Sequence, residues 1–225
     1  MIEVGLSGRH VLVFGATGTL GAAVAATFAD VGAVVRGVGH AVPEADRQLT
    51  GVEYEGVDVL DDAALGAYFD AGRRPWAVIN TVGGYAPKRP LAELDGAELT
   101  KQLELNLVSA ALITKHALRV MKVAGEGRIV HTASRAATVT AGNGFAYSVS
   151  KLGVLHLVEM AADEVRGTGI TVNCVVPSII DTPENRKALP NADQDAWPKA
   201  RDVARTYIYL AAPDTQLVNG AAIPV

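Results

Sequence analysis

The sequence has a single cysteine, no excess of basic charge and no long unbroken apolar run, and each shortage excludes a class of protein. Cys174 alone rules out an internal disulfide framework and a thiolate zinc cluster, and it points to the reducing cytosol. Lys plus Arg number 20 against 24 Asp plus Glu, a net charge of −4, so there is no basic field to displace counterions from nucleic-acid phosphates. The stretch 11–29 has no charged residue across nineteen positions, long enough to be weighed as a membrane span. Gly15, Gly18 and Gly21, with Thr17 and Thr19, interrupt it, and its β-branched opening reads as a strand ending in a turn. The start, with Glu3 and glycine-broken apolar residues, is unlike a secretory signal. The expectation is a cytoplasmic protein with no metal, no nucleic-acid partner and no membrane segment.

What is present describes a folded domain. With 225 residues, 49% hydrophobic and 20% charged, the chain can bury a sizeable core and is not disordered. Short β-branched runs alternate with helical patterns. Strands are expected at 10–14, 34–35, 52–59, 76–82, 128–131, 170–176 and 221–225, and helices at 20–29, 63–69, 147–166 and 203–211. Leu99, Leu103, Leu107, Ala110, Ile113 or Thr114, and Ala117 recur at three and four as one long amphipathic helix. This alternation predicts an α/β fold, a single doubly wound parallel sheet over 1–225 with helices on both faces. The stretch 183–198, rich in Pro, Asn and charge, shows no period and reads as a lid.

Gly15-Ala16-Thr17-Gly18-Thr19-Leu20-Gly21 lies between an apolar strand and an alanine-rich helix, the context of a Rossmann-type dinucleotide turn. Small residues there admit a pyrophosphate to free N–H groups at the positive end of a helix dipole. The same glycines would also suit a turn that needs them only for packing. Further along, Tyr147 and Lys151 share one helix face a turn apart, Ser134 lies thirteen residues before Tyr147 just after a strand, and Asn106 lies on the long helix.

In order and spacing these residues resemble the short-chain dehydrogenase/reductase family over nearly the whole chain. Asp58, Asn80-Thr81-Val82-Gly83 and Pro177-Ser178-Ile179-Ile180-Asp181-Thr182 extend the match. Phe14, Thr19 and Ser178 depart from the family's usual residues, so the glycine turn reads as Gly-x-x-Gly-x-x-Gly. The resemblance implies that Tyr147 is the general acid in reduction and base in oxidation. Lys151 would hold a nicotinamide ribose, Ser134 would hydrogen-bond the carbonyl oxygen, and Asn106 would anchor a relay water. Cofactor contacts would fall to Gly15, Thr17, Gly18, Thr19, Leu20, Gly21, Gly39, His40, Asp58, Val59, Asn80, Val82, Gly83, Lys151, Pro177, Ile180 and Thr182. A cation at about 4 Å and effective dielectric of about 20 is worth some 4 kcal/mol, about three pKa units, so Lys151 is expected to acidify the Tyr147 phenol.

The end of the second strand carries Gly39 and His40 where an acid would select NAD, so NADP is favoured over NAD, with His40, Arg36 or Arg47 to meet its phosphate. The substrate is expected to be a small carbonyl compound or alcohol, its pocket shaped by 183–198 and by residues around Ala136 to Phe145. Gly83-Gly84-Tyr85, Asp181-Thr182-Pro183, Asn185-Arg186-Lys187, Pro190, Ala192-Asp193 and Trp197 resemble dihydropteridine reductase, which leaves quinonoid-pterin reduction as an alternative. A dinucleotide sensor without turnover is the other. Asp61-Asp62 reads as a helix cap, Cys174 as a buried thiol, and His116, His131 and His156 lack ligand spacing. Trp197 either covers substrate or pins the lid. The apolar helices bearing Asn106 and Lys151 predict a homodimer or homotetramer.

Overall fold

The computed structural model describes residues 4–85, 89–139 and 144–225. Its parallel sheet runs β3-β2-β1-β4-β5-β6-β7, with β1 (His10–Phe14), β2 (Val34–Gly39), β3 (Val52–Gly56), β4 (Ala77–Asn80), β5 (Glu126–Thr132), β6 (Gly169–Val176) and β7 (Ala222–Pro224). Helices α1 (Thr19–Asp30), α2 (Asp62–Asp70), α3 (Gly96–Leu103), α4 (Ser109–Ala124), α5 (Phe145–Glu164), α6 (Pro183–Ala188) and α7 (Ala200–Ala211) fill the crossovers.

Side chains alternate along a strand, and here both faces are covered. Val11 and Val13 of β1 pack with Val24, Phe28 and Tyr207 of α1 and α7, while Leu12 and Phe14 pack with Leu65, Phe69, Ile113 and Val158 of α2, α4 and α5. This explains why β1 is apolar throughout. The chain reverses direction across the sheet between β1 and β4, and ligands of such sheets bind at the carboxyl ends beside that switch point.

Three expected elements differ in detail. The second strand continues to Gly39, beyond its β-branched start. The long amphipathic helix is broken at Glu104–Val108 by one π-type turn, which inserts a residue without breaking the apolar stripe. The 183–198 stretch is not structureless. Thr182 accepts from the Asn185 N–H, Pro183 sits at the first helical position, and α6 follows. At six residues, that helix is too short to leave a readable period. Asp181, its carboxyl held well below the usual range by Arg186 and Lys199, ties α6 to the segment entering α7. Trp197 is half-buried at the end of the 3-10 turn Gln194–Ala196. Among the described residues no helix is long and apolar enough to cross a membrane.

Candidate active site

The glycine turn leaves the carboxyl end of β1. Gly15 has φ of 82°, and a Cβ there would stand 2.9 Å from the Thr81 carbonyl carbon and the Val82 nitrogen. A Cβ on Gly21 would lie 2.1 Å from the Gly15 oxygen, so both glycines let α1 pack close beneath the end of β4. Gly18 has no such neighbour: its nearest atom would be 3.5 Å away. It begins α1 with no side-chain cap and no acidic residue in the first turn, beside exposed Thr17 and Thr19 and half-buried Leu20. Packing accounts for Gly15 and Gly21. Packing does not account for Gly18, which stands at an uncapped helix N-terminus that could hold a pyrophosphate.

The loop leaving β4 is built by Asn80, whose Oδ1 accepts from Val82 N at 3.0 Å. Its amide also donates to His131 Nδ1 at 3.1 Å. His131 Nε2–H therefore donates to Thr114 Oγ1 at 2.8 Å, because the Thr114 proton goes to the Ala110 carbonyl. Full burial pushes His131 down to about 3, so it is a neutral part of the core. Cys174 is likewise buried, its thiol pushed up to about 12. Asp61 caps α2 through Ala64 N, whereas Asp62 reaches Lys115 and His116 on α4.

Gly83, Asn106 and Lys151 converge. A Cβ on Gly83 would stand 2.6 Å from Asn106 Oδ1 and 2.8 Å from Lys151 Nζ. Asn106 lies in the π-type turn, as such turns often do at sites. Its Oδ1 accepts from Gly84 N at 3.0 Å, and its Nδ2 reaches Gly84 O, Gln102 Oε1 and Ser150 Oγ at 3.0–3.1 Å. Ser134 caps the turn Arg135–Ala137, and Ser148 of α5 donates to the Ala136 carbonyl at 2.6 Å. This second bond locks the Ser134 turn to the helix that carries Tyr147.

The electrostatics differ from expectation. Burial raises the Tyr147 phenol above its ordinary value, and the Ser134 hydroxyl, rather than Lys151, is the neighbour that lowers it. Lys151 is itself pushed down to about 8 by burial, and its Nζ donates to the Thr132 carbonyl at 2.9 Å. In this state Tyr147 keeps its proton at neutral pH, which fits the acid role. The expected drop toward neutrality is absent because burial dominates and Lys151 is not among the groups that lower the phenol.

The outer positions are mixed. Gly39 ends β2, where a Cβ would come within 3.0 Å of Thr17 Cγ2 and the Ala41 carbonyl oxygen, and exposed His40 follows. Arg36 does not reach this place. It sits three strand positions back, about 10 Å away, paired with Glu53 and lining a cavity of about 340 Å3 with His10, Arg73 and Arg74 at the amino-terminal edge of the sheet. Arg47 is exposed on a 3-10 turn. Asp58 turns its Oδ1 to Leu60 N, with Val59 half-buried beside it. Pro177 is buried, Ile180 gives its carbonyl to Asn185 Nδ2, and Thr182 caps α6. Of the pocket segment around Ala136 to Phe145, residues 140–143 lie outside the described residues.

A family model described as enoyl-(acyl carrier protein) reductase matches residues 15–225. Cis-4-hydroxycyclohexanecarboxylate dehydrogenase of Sinomonas cyclohexanicum is 33% identical over 96% of this chain and 94% of its own. D-threitol dehydrogenase of Mycolicibacterium smegmatis is 30% identical, covering 98% and 92%. A short-chain type dehydrogenase/reductase from Mycobacterium ulcerans superposes with a TM-score of 0.89 at 26% identity, over 98% of this chain and 89% of that one. The chain belongs to the short-chain dehydrogenase/reductase family.

As a short-chain dehydrogenase/reductase the protein is an oxidoreductase, and members use nicotinamide dinucleotides and a Ser-Tyr-Lys mechanism. Four side chains in this site escaped the sequence reading. Gln102 and Ser150 hold the Asn106 amide, and Thr132 and Tyr207 share a 2.7 Å hydroxyl contact beneath Lys151. Only Ser150, inside the Tyr-x-x-x-Lys interval, carried a local signal.

Proposed function

We propose that this protein is an NADP-preferring reductase of small carbonyl compounds, or the reverse alcohol dehydrogenase. Ser134, Tyr147, Lys151 and Asn106 are its catalytic set, and the seventeen positions named from the resemblance form its cofactor cradle. The meeting of Asn106 and Lys151 at Gly83, with the Ser134 turn tied by Ser148 to the helix that carries Tyr147, supports the reading. A bound nicotinamide supplies or accepts the hydride. Tyr147 holds a proton at its hydroxyl, to be given to the oxygen on which negative charge develops, and Ser134 orients that oxygen by hydrogen bonding. Buried Lys151 holds a positive charge against the Thr132 carbonyl, one helical turn from Tyr147, and Asn106 holds the loop at Gly84.

Exposed His40 after Gly39 supports NADP, since no acid stands at the end of β2 to repel a 2′-phosphate. The relatives' names cover a cyclic hydroxy acid and a sugar alcohol, so a small alcohol or carbonyl substrate is proposed here, under a lid at 183–198. Exposed Val123 on α4, and Leu152 and Met160 on α5, support a homodimer or homotetramer, which light scattering tests, and the single buried cysteine suits a cytoplasmic location, which cell fractionation tests.

The deciding experiment is a ketone, alcohol and quinonoid-pterin screen followed at nicotinamide absorbance, with NADPH and NADH side by side and Tyr147→Phe as control. Ketone turnover faster with NADPH, abolished in the variant while dinucleotide binding persists, is expected. Unchanged turnover in Tyr147→Phe would refute the assignment, and tighter NADH would overturn the cofactor preference.

A further inference from the structure

Tyr85 is a large aromatic residue left 61% exposed beside the Tyr147 phenol. The two rings meet edge to face, centroids 5.1 Å apart and planes at 70°. The backbone that presents Tyr85 is fixed, because Asn106 pairs with both polar groups of the preceding residue, accepting from Gly84 N at 3.0 Å and donating to Gly84 O at 3.1 Å. Gly84 is itself tightly packed, since a Cβ there would stand 2.7 Å from Leu105 Cδ2. Arg89 bridges Gly144, which sets Arg89 beside the entry to α5, where Phe145 is 40% exposed. An open aromatic face thus lies next to the group that handles the proton, with a second exposed aromatic on the neighbouring segment.

Aromatic faces bind apolar C–H groups and flat rings over large areas without needing a polar partner. A ring compound offers that area already organised, whereas an open chain of equal carbon number loses rotamer freedom to match it. We propose that Tyr85 is a specificity-determining residue. Its exposed face is the wall on which the ring of a cyclic apolar ketone or secondary alcohol lies, and Asn106 is the positioning residue that aims it. This proposal rests on the carbonyl-reductase reading of the same site.

The test compares wild type, Tyr85→Ala and Tyr85→Phe on cyclohexanone and on an open-chain ketone of the same carbon number. The ratio of kcat/KM, ring over chain, is expected to fall about tenfold in Tyr85→Ala, the order of one lost aromatic contact, with the change in KM. Tyr85→Phe keeps the ratio. A ratio unchanged in Tyr85→Ala, or lowered equally in Tyr85→Phe, overturns the proposal. Asn106→Ala should lower the same ratio and add nothing in the Tyr85→Ala background, and an additive loss would remove its positioning role. Calorimetric titration of cyclohexanol into the dinucleotide-loaded protein separates this proposal from the broader one. If wild type reduces no ketone, the functional reading fails. Weaker cyclohexanol binding in Tyr85→Ala would still support the wall, and equal binding would sink it.

Discussion

The Lys151 ammonium donates to the main-chain carbonyl of Thr132 at 2.9 Å. The Thr132 side chain is held from two sides. The Thr132 hydroxyl gives its proton to the Asn80 carbonyl at 2.8 Å, so the Tyr207 hydroxyl at 2.7 Å must donate to Thr132 Oγ1. Two strands and α7 therefore fix the acceptor of a charge that the fold has taken almost wholly out of water.

Burying that charge sets up the first prediction. Lys151 falls from 10.5 to about 8, so between those values the unfolded chain binds a proton that the folded chain does not. Stability contributed by this group is lowest below about 8 and rises with pH through that window, and the deficit at neutral pH is about 3 kcal/mol at most. Lys151→Met should raise Tm at neutral pH, flatten its dependence above about 8, and lower turnover about 100-fold or more. Wild-type reduction should decline above pH 8 as the ammonium is lost. Calorimetry and a pH-rate profile check both, and a lower neutral-pH Tm in the variant would refute the sign.

Gly83 is a tighter constraint than its place in a family motif suggests. Its missing Cβ leaves space occupied by Asn106 Oδ1 and Lys151 Nζ, and hydrogen bonds pin both. Gly83→Ala should lower turnover about 100-fold and stability by about 1–3 kcal/mol, the usual range for overpacking. Steady-state kinetics with urea unfolding measure the two together, and wild-type kcat would refute it.

The sheet, the glycine turn and the Tyr-x-x-x-Lys pair were legible because each rests on period or spacing within a few residues. Asn106 was legible only as a type in an order, since, Gln102 apart, its partners lie 22 and 44 residues away. Thr132 and Tyr207 are separated by 75 residues and carry no local mark. The π-type turn at Glu104–Val108 was hidden by an apolar stripe that runs straight through it. Arg36 was misplaced because its charge was visible while its distance from the strand end, and its acidic partners on β3, were not. The acidity of Tyr147 was misjudged for a related reason, as spacing reports proximity to Lys151 but says nothing of desolvation.

Glu184 of α6 bears on cofactor affinity. Its Oε2 accepts from Thr19 Oγ1 at 3.4 Å, setting a carboxylate over the uncapped start of α1. Its own backbone N–H, then Thr182 and Thr19, hold it below the usual carboxylate range, so it is charged at neutral pH. A pyrophosphate at the same helix end meets like charge. Glu184→Gln should tighten dinucleotide binding about threefold to tenfold at low salt, and the difference should shrink as salt screens it. Fluorescence titration at two ionic strengths reads this directly, and weaker binding in the variant would show that the carboxylate helps instead.

Arg128, near the amino-terminal end of interior strand β5, bears on stability. It is 2% exposed and has no carboxylate partner among the described residues. Its guanidinium instead donates to the carbonyls of Gly127, Gly169, Ala212 and Pro213, two of them just beyond the carboxyl end of α7. It also lies 4.6 Å from the Trp76 ring centroid, with Arg9 on the same ring at 3.6 Å. Burial lowers its pKa, a cost that the four carbonyls and the negative helix end offset. Replacing a whole buried ion pair with apolar groups is often neutral, but Arg128→Met removes a donor group shared by four carbonyls, of which Ala212 keeps Thr215 as a partner. A loss of about 3 kcal/mol is expected, and Arg128→Lys should recover only part of it because a compact ammonium cannot span the four carbonyls. Because Arg128 lies near the start of β5 and Thr132 at its end, kcat below the unfolding transition should match wild type. Urea denaturation with kinetics at low temperature tests both halves, and a stability loss under about 0.5 kcal/mol would mean that water satisfies those carbonyls equally well.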